Sequence, residues 1–238
     1  MASRNVVVED WNAFPRRAAE WLVETVEDVL AAGRYCAIAL SGGRTPGPVY
    51  TALGTEDLST RIDWSRVHVY FADERGVPPD DPESNYRLVS ETLLTHVAVP
   101  EAQIHRMKGE SGDLDGAAAA YARELPVALD VLVLGIGADG HTASLFPGSP
   151  AVLEDRRRVL VVESPKPPRQ RITITPPVIA AARHVVVLAT GREKAPAVAR
   201  ALDGDATPSE VPAVLARPPH GVWFLDSAAA GQLPRPVP

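Results

Sequence analysis

Residues 131–141 read VLVLGIGADGH, and this stretch decides the fold. Its first four residues are apolar without polar alternation, which is typical of a strand buried on both faces of a parallel sheet. Glycines then follow at positions 135, 137 and 140, and they let the backbone approach a ligand closely. A buried strand that ends in such a loop predicts an α/β fold with a ligand beyond the carboxyl end of the strand.

The same pattern, an apolar run that ends in a glycine or charged loop, recurs along the chain. It predicts further buried parallel strands at residues 35–40, 67–71, 159–162, 184–189 and 222–225. Helical spacing of apolar residues predicts helices over residues 16–32, 84–96, 116–125 and 195–202. Strands that alternate with helices favour a doubly wound α/β fold, and we expect residues 1–238 to form a single domain.

Composition narrows the function classes. The chain has 238 residues, 45% of them hydrophobic and 23% charged, with a net charge of -6. A nucleic-acid-binding protein would usually carry a basic surplus. No signal peptide is evident, and no apolar run reaches the ~18 residues of a membrane helix, so we expect a cytoplasmic protein with no membrane partner. Cys36 is the single cysteine, which predicts a buried thiol without a disulfide or a zinc site.

Residues 41–46 read SGGRTP and follow a predicted strand. Gly42 and Gly43 leave the backbone open to an oxyanion. The N–H groups at a helix start, together with the hydroxyls of Ser41 and Thr45, suit a phosphate. The segment matches neither G-x-G-x-x-G nor a Walker loop, so nucleotide binding is not indicated. An ordinary tight turn remains the alternative.

Charged side chains follow other predicted strands. Only three of the 24 cationic residues are lysines, and two of them fall in these loops. We predict that these side chains converge at one edge of the sheet, although solvated surface loops remain the alternative. The candidates are Asp73, Arg75, Lys166, Arg169, Arg171 and Lys194.

His141 is the best candidate for chemistry, because histidine transfers protons near neutral pH and this one follows a glycine-rich loop. Asp139 either orients its ring or stays in solvent. The chain has no histidine pair at i, i+4, no cysteine cluster and no nucleophilic serine elbow. We therefore expect neither a metal nor a cofactor. The residues suit hydrolysis or isomerisation of a small phosphorylated metabolite.

Five segments together resemble the glucosamine-6-phosphate isomerase/6-phosphogluconolactonase family. They are 41–46 (SGGRTP), 71–75 (FADER), 135–148 (GIGADGHTASLFPG), 166–171 (KPPRQR) and 190–195 (TGREKA). The resemblance implies a three-layer α/β/α fold with a mostly parallel, Rossmann-like sheet. It also implies hydrolysis of 6-phospho-D-glucono-1,5-lactone to 6-phospho-D-gluconate, a step of the oxidative pentose phosphate pathway, without a cofactor.

By the same resemblance His141 is the general base, and Asp73 and Arg75 complete the catalytic set. The implied substrate-binding residues, which include the phosphate ligands, are Ser41, Gly42, Gly43, Thr45, Asp139, Gly140, Lys166, Arg169, Arg171 and Lys194. The implied partners are the sugar-phosphate lactone and water, with no nucleic acid, and a monomer or weak homo-oligomer is expected.

Two other functions stay open at this point. A glucosamine-6-phosphate deaminase has a similar Asp-Gly-His element, but an acidic partner typically follows its histidine, and residues 142–147 contain no carboxylate. A non-catalytic sugar-phosphate sensor usually carries a DNA-binding domain. The residues before the first predicted strand, at 35–40, are acidic and amphipathic instead of basic.

Overall fold

In the computed structural model, residues 5–8, 10–33, 35–203, 205–217 and 221–233 are described. The strands are β1 (Asn5–Val8), β2 (Cys36–Leu40), β3 (Val67–Phe71), β4 (Asp73–Arg75), β5 (Val131–Gly135), β6 (Val159–Glu163), β7 (Gln170–Ile174), β8 (His184–Ala189) and β9 (Gly221–Asp226). The helices are α1 (Phe14–Ala31), α2 (Pro46–Leu53), α3 (Glu56–Ser59), α4 (Asn85–Thr92), α5 (Leu114–Glu124), α6 (Pro176–Ala181) and α7 (Ala195–Asp203).

Six strands form a parallel sheet, the main sheet, in the order β1-β9-β8-β5-β2-β3. The chain runs from β2 to β3 on one side, whereas it runs from β5 to β8 on the other. The neighbours β2 and β5 therefore flank the point where the winding direction reverses. In open α/β sheets a crevice opens at this point, beyond the carboxyl ends of the two strands, and ligands bind there.

Helices cover the main sheet and close its hydrophobic core. Every residue of β2 is buried, as its lack of polar alternation predicts. The apolar face of α1, which includes Leu22 and Val26, packs on β2, β9 and α2. One contiguous cluster of buried apolar side chains results, and Cys36 lies inside it as predicted. The protein thus has the helix-flanked, mostly parallel sheet that the sequence predicts.

A second, antiparallel sheet of three strands, the small sheet, has the order β4-β7-β6. Ala72 connects the two sheets. Its N–H donates to the carbonyl of Leu40 in the main sheet at 2.9 Å, and its carbonyl accepts from the N–H of Ile174 in the small sheet, also at 2.9 Å. Because the chain crosses between the sheets here, Asp73 and Arg75 lie beside the carboxyl end of β2.

The small sheet corrects one prediction. Residues 159–162 were expected to form a parallel strand of the main sheet, but they form β6, which pairs antiparallel with β7. The reason is the short connection between β6 and β7: parallel neighbours need a long crossover, whereas antiparallel neighbours need only a turn. Apolar content alone could not distinguish the two arrangements.

Element ends differ from the predictions in other places. The predicted helix 84–96 ends at Thr92, because Leu93 leaves the helical conformation with φ -135°, and a 3₁₀ turn follows. The expectation that the first core strand begins near residue 35 is wrong, since β1 precedes it and pairs with β9. Across the described ranges, no helix is long and apolar enough to cross a membrane.

Candidate active site

A cavity of about 640 Å³ opens where the carboxyl ends of the main-sheet strands face the small sheet. Loops that follow β2, β5 and β8 line one side, and residues of β4, β7 and the β6–β7 connection line the other. The loop containing His141 and the loop containing Lys166 meet in this cavity, as the sequence predicts. The predicted site residues on its surface are Ser41, Gly42, Gly43, Thr45, Asp73, Arg75, His141, Lys166, Arg171 and Lys194.

His141 is held by Asp139, whose Oδ1 lies 2.5 Å from the ring Nδ1 and accepts the backbone N–H of His141 at 3.2 Å. Partial burial opposes ionisation of Asp139, but the hydrogen bond and charge of His141 outweigh it and lower the pKa of Asp139 to about 2. The carboxylate is therefore ionised at neutral pH and needs a proton on Nδ1. That tautomer leaves Nε2 of His141 as the atom that can accept a proton.

The glycines of this loop make room for the pair. A Cβ on Gly137 would lie 2.0 Å from Nδ1 of His141 and 2.3 Å from Oδ1 of Asp139. Gly140 has a φ of 89°, which L side chains rarely adopt, and its Cβ would lie 2.9 Å from Val211. The glycines around His141 thus have a steric role, because a side chain at Gly137 would collide with the His141–Asp139 pair.

Asp73 is buried at the cavity wall and fully engaged. Its Oδ2 accepts the hydroxyl of Ser144 at 2.6 Å, and its Oδ1 accepts the side-chain amide of Asn85 at 3.0 Å. Asn85 also donates to the backbone carbonyl of Asp73 at 2.8 Å. These bonds hold the carboxylate in one orientation. Asn85 and Ser144 both line the cavity, and neither was among the predicted site residues.

Arg75 and Arg171 lie directly opposite each other on β4 and β7. Burial lowers the pKa of Arg171, and the charge of Arg75 lowers it further, while Asp73 opposes the shift. Arginine side chains carry a positive charge in proteins. Like charges in directly opposed positions of a sheet are destabilising, and such a pair suits the binding of an anion.

Two lysines complete the positive side of the cavity. Lys194 is half-buried, and burial lowers its pKa, with smaller contributions in the same direction from Arg44 and Lys166. Glu193 opposes the shift, since its negative charge favours the protonated form of Lys194, and it also pairs with Arg44 at 3.9 Å. The described part of the chain thus places more cationic than anionic groups around this space.

The loop after β2 is fixed at its first residue. Ser41 is 3% exposed, its N–H donates to the hydroxyl of Tyr50 at 3.1 Å, and its carbonyl accepts from that hydroxyl at 2.8 Å. Among the described residues the hydroxyl of Ser41, Nε of Arg75 and Oδ1 of Asn85 are buried without a hydrogen-bond partner. All three side chains line the cavity, and buried polar atoms without partners are rare in proteins.

Three predicted site residues lie off the cavity surface. Asp139 does not line the cavity, but it bonds His141, which does. Gly140 packs on Val211. Arg169 is exposed and points to Glu163, with 3.3 Å between its guanidinium nitrogen and the carboxylate. The structure therefore does not place Arg169 with the other cations. Arg169 lies before β7, in the β6–β7 connection, where its guanidinium pairs with Glu163 at the end of β6, whereas Arg171 lies within β7.

Comparisons with known proteins agree on one family. Residues 9–225 match the family model described as glucosamine-6-phosphate isomerases/6-phosphogluconolactonase. The chain is 42% identical to a 6-phosphogluconolactonase of Streptomyces coelicolor, with 97% of this chain and 94% of the relative covered.

Two solved structures show the same fold. A 6-phosphogluconolactonase from Trypanosoma cruzi superposes with a TM-score of 0.84 at 30% identity, over 98% of this chain and 97% of the other. A monomeric glucosamine-6-phosphate deaminase has the same TM-score at 20% identity, over 96% and 99% of the two chains. At that identity the deaminase shows similarity of fold alone.

Proposed function

The chain belongs to the family of glucosamine-6-phosphate isomerases and 6-phosphogluconolactonases, and we propose that His141 is the general base of its reaction. The enzyme hydrolyses 6-phospho-D-glucono-1,5-lactone to 6-phospho-D-gluconate, a step of the pentose phosphate pathway. One observation carries the role of His141: an imidazole whose ring is oriented by Asp139 lines the same cavity as a cluster of cations. That combination suits a substrate that is both an ester and a phosphate.

The reaction begins with a water molecule between Nε2 of His141 and the lactone carbonyl. Nε2 takes a proton as the water oxygen bonds to the carbonyl carbon, and a tetrahedral oxyanion forms. When the oxyanion collapses, the bond from the carbonyl carbon to the ring oxygen breaks, and the imidazolium returns its proton to that oxygen. Asp139 stabilises the transient imidazolium, because its carboxylate lies 2.5 Å from Nδ1.

The cations bind and stabilise negative charge. A phosphate dianion and a developing oxyanion both need positive partners, and Arg75, Arg171, Lys166 and Lys194 provide them on opposite sides of the cavity. Asp73 is positioned by Ser144 and Asn85, and we assign it to the ordering of this wall. A lactone is an activated ester, so a general base worth roughly 10²–10⁴-fold and fixed positive charge suffice without a covalent intermediate.

The test is the hydrolysis of the phosphorylated lactone by the wild type and by His141→Ala, measured as acid release above the spontaneous rate. We expect kcat to fall by roughly 10²–10⁴-fold, while binding of 6-phosphogluconate persists because the cations remain. His184→Ala is the control, since this exposed histidine begins β8 at the opposite end of the strand from the cavity. Normal turnover by His141→Ala would exclude the proposed mechanism.

The same enzyme preparation also tests for the related deaminase activity. A deaminase would release ammonia from glucosamine 6-phosphate, and we expect none here, because residues 142–147 provide no carboxylate partner for His141.

We further propose a cytoplasmic enzyme, because a phosphate dianion does not cross bilayers. We also propose a single catalytic domain over residues 1–238, which the contiguous core of the described residues supports, and a monomer or weak homo-oligomer.

A further inference from the structure

Thr45 is placed to cap a helix but does not cap it. It is the residue before α2, where a threonine hydroxyl ordinarily accepts a backbone N–H from the first turn. Its side chain makes no such bond. Instead, its Oγ1 lies 2.8 Å from Oγ1 of Thr190, which follows β8 and is 145 residues away in sequence. Thr190 is 7% exposed, and both threonines line the cavity.

The start of α2 also has few N–H groups to offer an anion. The sequence-based expectation was that free amides at this helix start would bind a phosphate. Pro46 and Pro48 have no N–H, and the N–H of Gly47 is donated to the carbonyl of Gly43 at 3.3 Å. Any donors to an anion at this point must therefore come largely from the loop and from side chains, so that expectation needs correction.

A pair of hydroxyls has a simple proton balance. One hydroxyl donates its proton to the other, and the accepting hydroxyl keeps a proton of its own. Among the residues whose side chains are described, neither hydroxyl makes a second hydrogen bond. Phosphate oxygens accept and do not donate, so a phosphate beside the pair fixes the direction of the chain. Each hydrogen bond in such a chain polarises and strengthens the next.

Resting on the proposed function, we propose that Thr190 is a positioning residue that donates to Thr45 and so directs the Thr45 proton to the substrate phosphate. Thr45 is the more exposed of the two and is the one that contacts the ligand. Lys194, Arg44 and Glu193 are the charged groups that lie around this end of the cavity. The hydroxyl chain replaces the donors that the prolines remove from the helix start.

The experiment compares Thr190→Val with Thr190→Ser on two substrates, 6-phosphogluconolactone and unphosphorylated glucono-1,5-lactone. Valine keeps the shape and removes the donor. We expect Thr190→Val to raise KM for the phosphorylated lactone roughly ten-fold with kcat nearly unchanged, and to leave kcat/KM for the unphosphorylated lactone as in the wild type. Serine keeps the hydroxyl and should restore KM to within about two-fold of the wild type.

Thr175→Val is the matched control. Thr175 is fully buried, its hydroxyl donates to the carbonyl of Arg157 at 2.5 Å, and it lies outside the cavity. This variant should lose stability without a change in the ratio of the two substrates. If Thr190→Val lowers kcat/KM for both lactones equally, or changes neither, the positioning role is wrong.

Thr45→Val separates this inference from the proposed function. If Thr45→Val weakens only the phosphorylated lactone while Thr190→Val has no effect, Thr45 contacts phosphate without Thr190, and the inference alone fails. If neither variant affects the phosphorylated lactone and His141→Ala remains inactive, the phosphate lies elsewhere, which overturns the inference and keeps the general base. Turnover by His141→Ala would instead contradict the proposed function.

Discussion

The two walls of the cavity are built in different ways. In the main-sheet wall, formed by residues 41–45, 135–146 and 190–194, the loop that contains His141 owes its chemistry to contacts within one short segment. His141 is oriented by Asp139, two residues before it, and Gly137 makes room for both. The small-sheet wall, formed by Asp73, Arg75, Lys166 and Arg171, depends on distant partners. Asp73 is held by Ser144, 71 residues away.

The difference suggests that the two regions affect different kinetic constants. The His141 loop carries the proton-transfer group and should govern kcat, whereas the cations of the small-sheet wall, together with the loops after β2 and β8, should govern KM. Four predictions examine this division, in order of decreasing expected effect, after the larger loss expected for His141→Ala.

Asp139→Asn should reduce kcat roughly 100-fold and change KM little. The amide no longer requires a proton on Nδ1 and no longer stabilises the imidazolium, so the base is both misoriented and weaker. Steady-state kinetics on the phosphorylated lactone measures the effect. A large rise in KM with normal kcat would show that the His141 loop serves binding, and the proposed division would fail.

Arg171→Met should raise KM roughly ten-fold with a smaller effect on kcat, and the free energy of unfolding should not fall. Removing one of two opposed arginines relieves their repulsion, and methionine retains much of the apolar packing. Kinetics and a denaturant titration test both parts. Arg169→Met is the matched control, because this exposed arginine lies outside the cavity and should alter neither quantity. Equal effects of the two variants would contradict the prediction.

Two buried tyrosines offer a finer comparison. Tyr50 bonds the N–H and carbonyl of Ser41, and Tyr121 bonds those of Phe71, at 2.7 and 2.8 Å. Each phenylalanine substitution leaves two buried backbone groups unpaired and should cost about 1–3 kcal/mol of unfolding free energy.

Only Tyr50→Phe should also raise KM, by a few-fold, because Ser41 begins the loop of the main-sheet wall that lines the cavity. Denaturant titration measures the loss of stability, and kinetics on the phosphorylated lactone measures KM. A similar KM for both tyrosine variants would mean that the Ser41 loop needs no anchoring.

The smallest expected effect is on stability in acid. The pKa of Asp139 is lowered from 3.8 to about 2, so the folded state binds this proton less readily than the unfolded state. The stability that the carboxylate contributes is therefore complete above about pH 4 and is lost as the pH falls toward 2. Unfolding titrations of the wild type and Asp139→Asn should converge over this interval. A difference that stays constant from pH 5 to pH 2 would contradict the shift.

Much of the molecule was predictable because the signals are local. The apolar run at 131–134 and the glycines after it identify a buried strand and a ligand loop, and His141 lies where that loop predicts. The repeated alternation of strands and helices indicates a parallel sheet, and such a sheet brings the loops after its strands to one edge. These inferences need only the residue types along one segment.

The three-dimensional structure decided what depends on pairing between distant segments. Residues 159–162 carry the same apolar signal as the parallel strands, yet they pair antiparallel with β7, because a short connection joins them. Asn85, Ser144 and Thr190 carry no local signal, since each gains its role from a partner elsewhere in the chain. A hydrogen bond requires two atoms to lie within about 3.5 Å, and residues far apart in sequence come that close only in the folded chain.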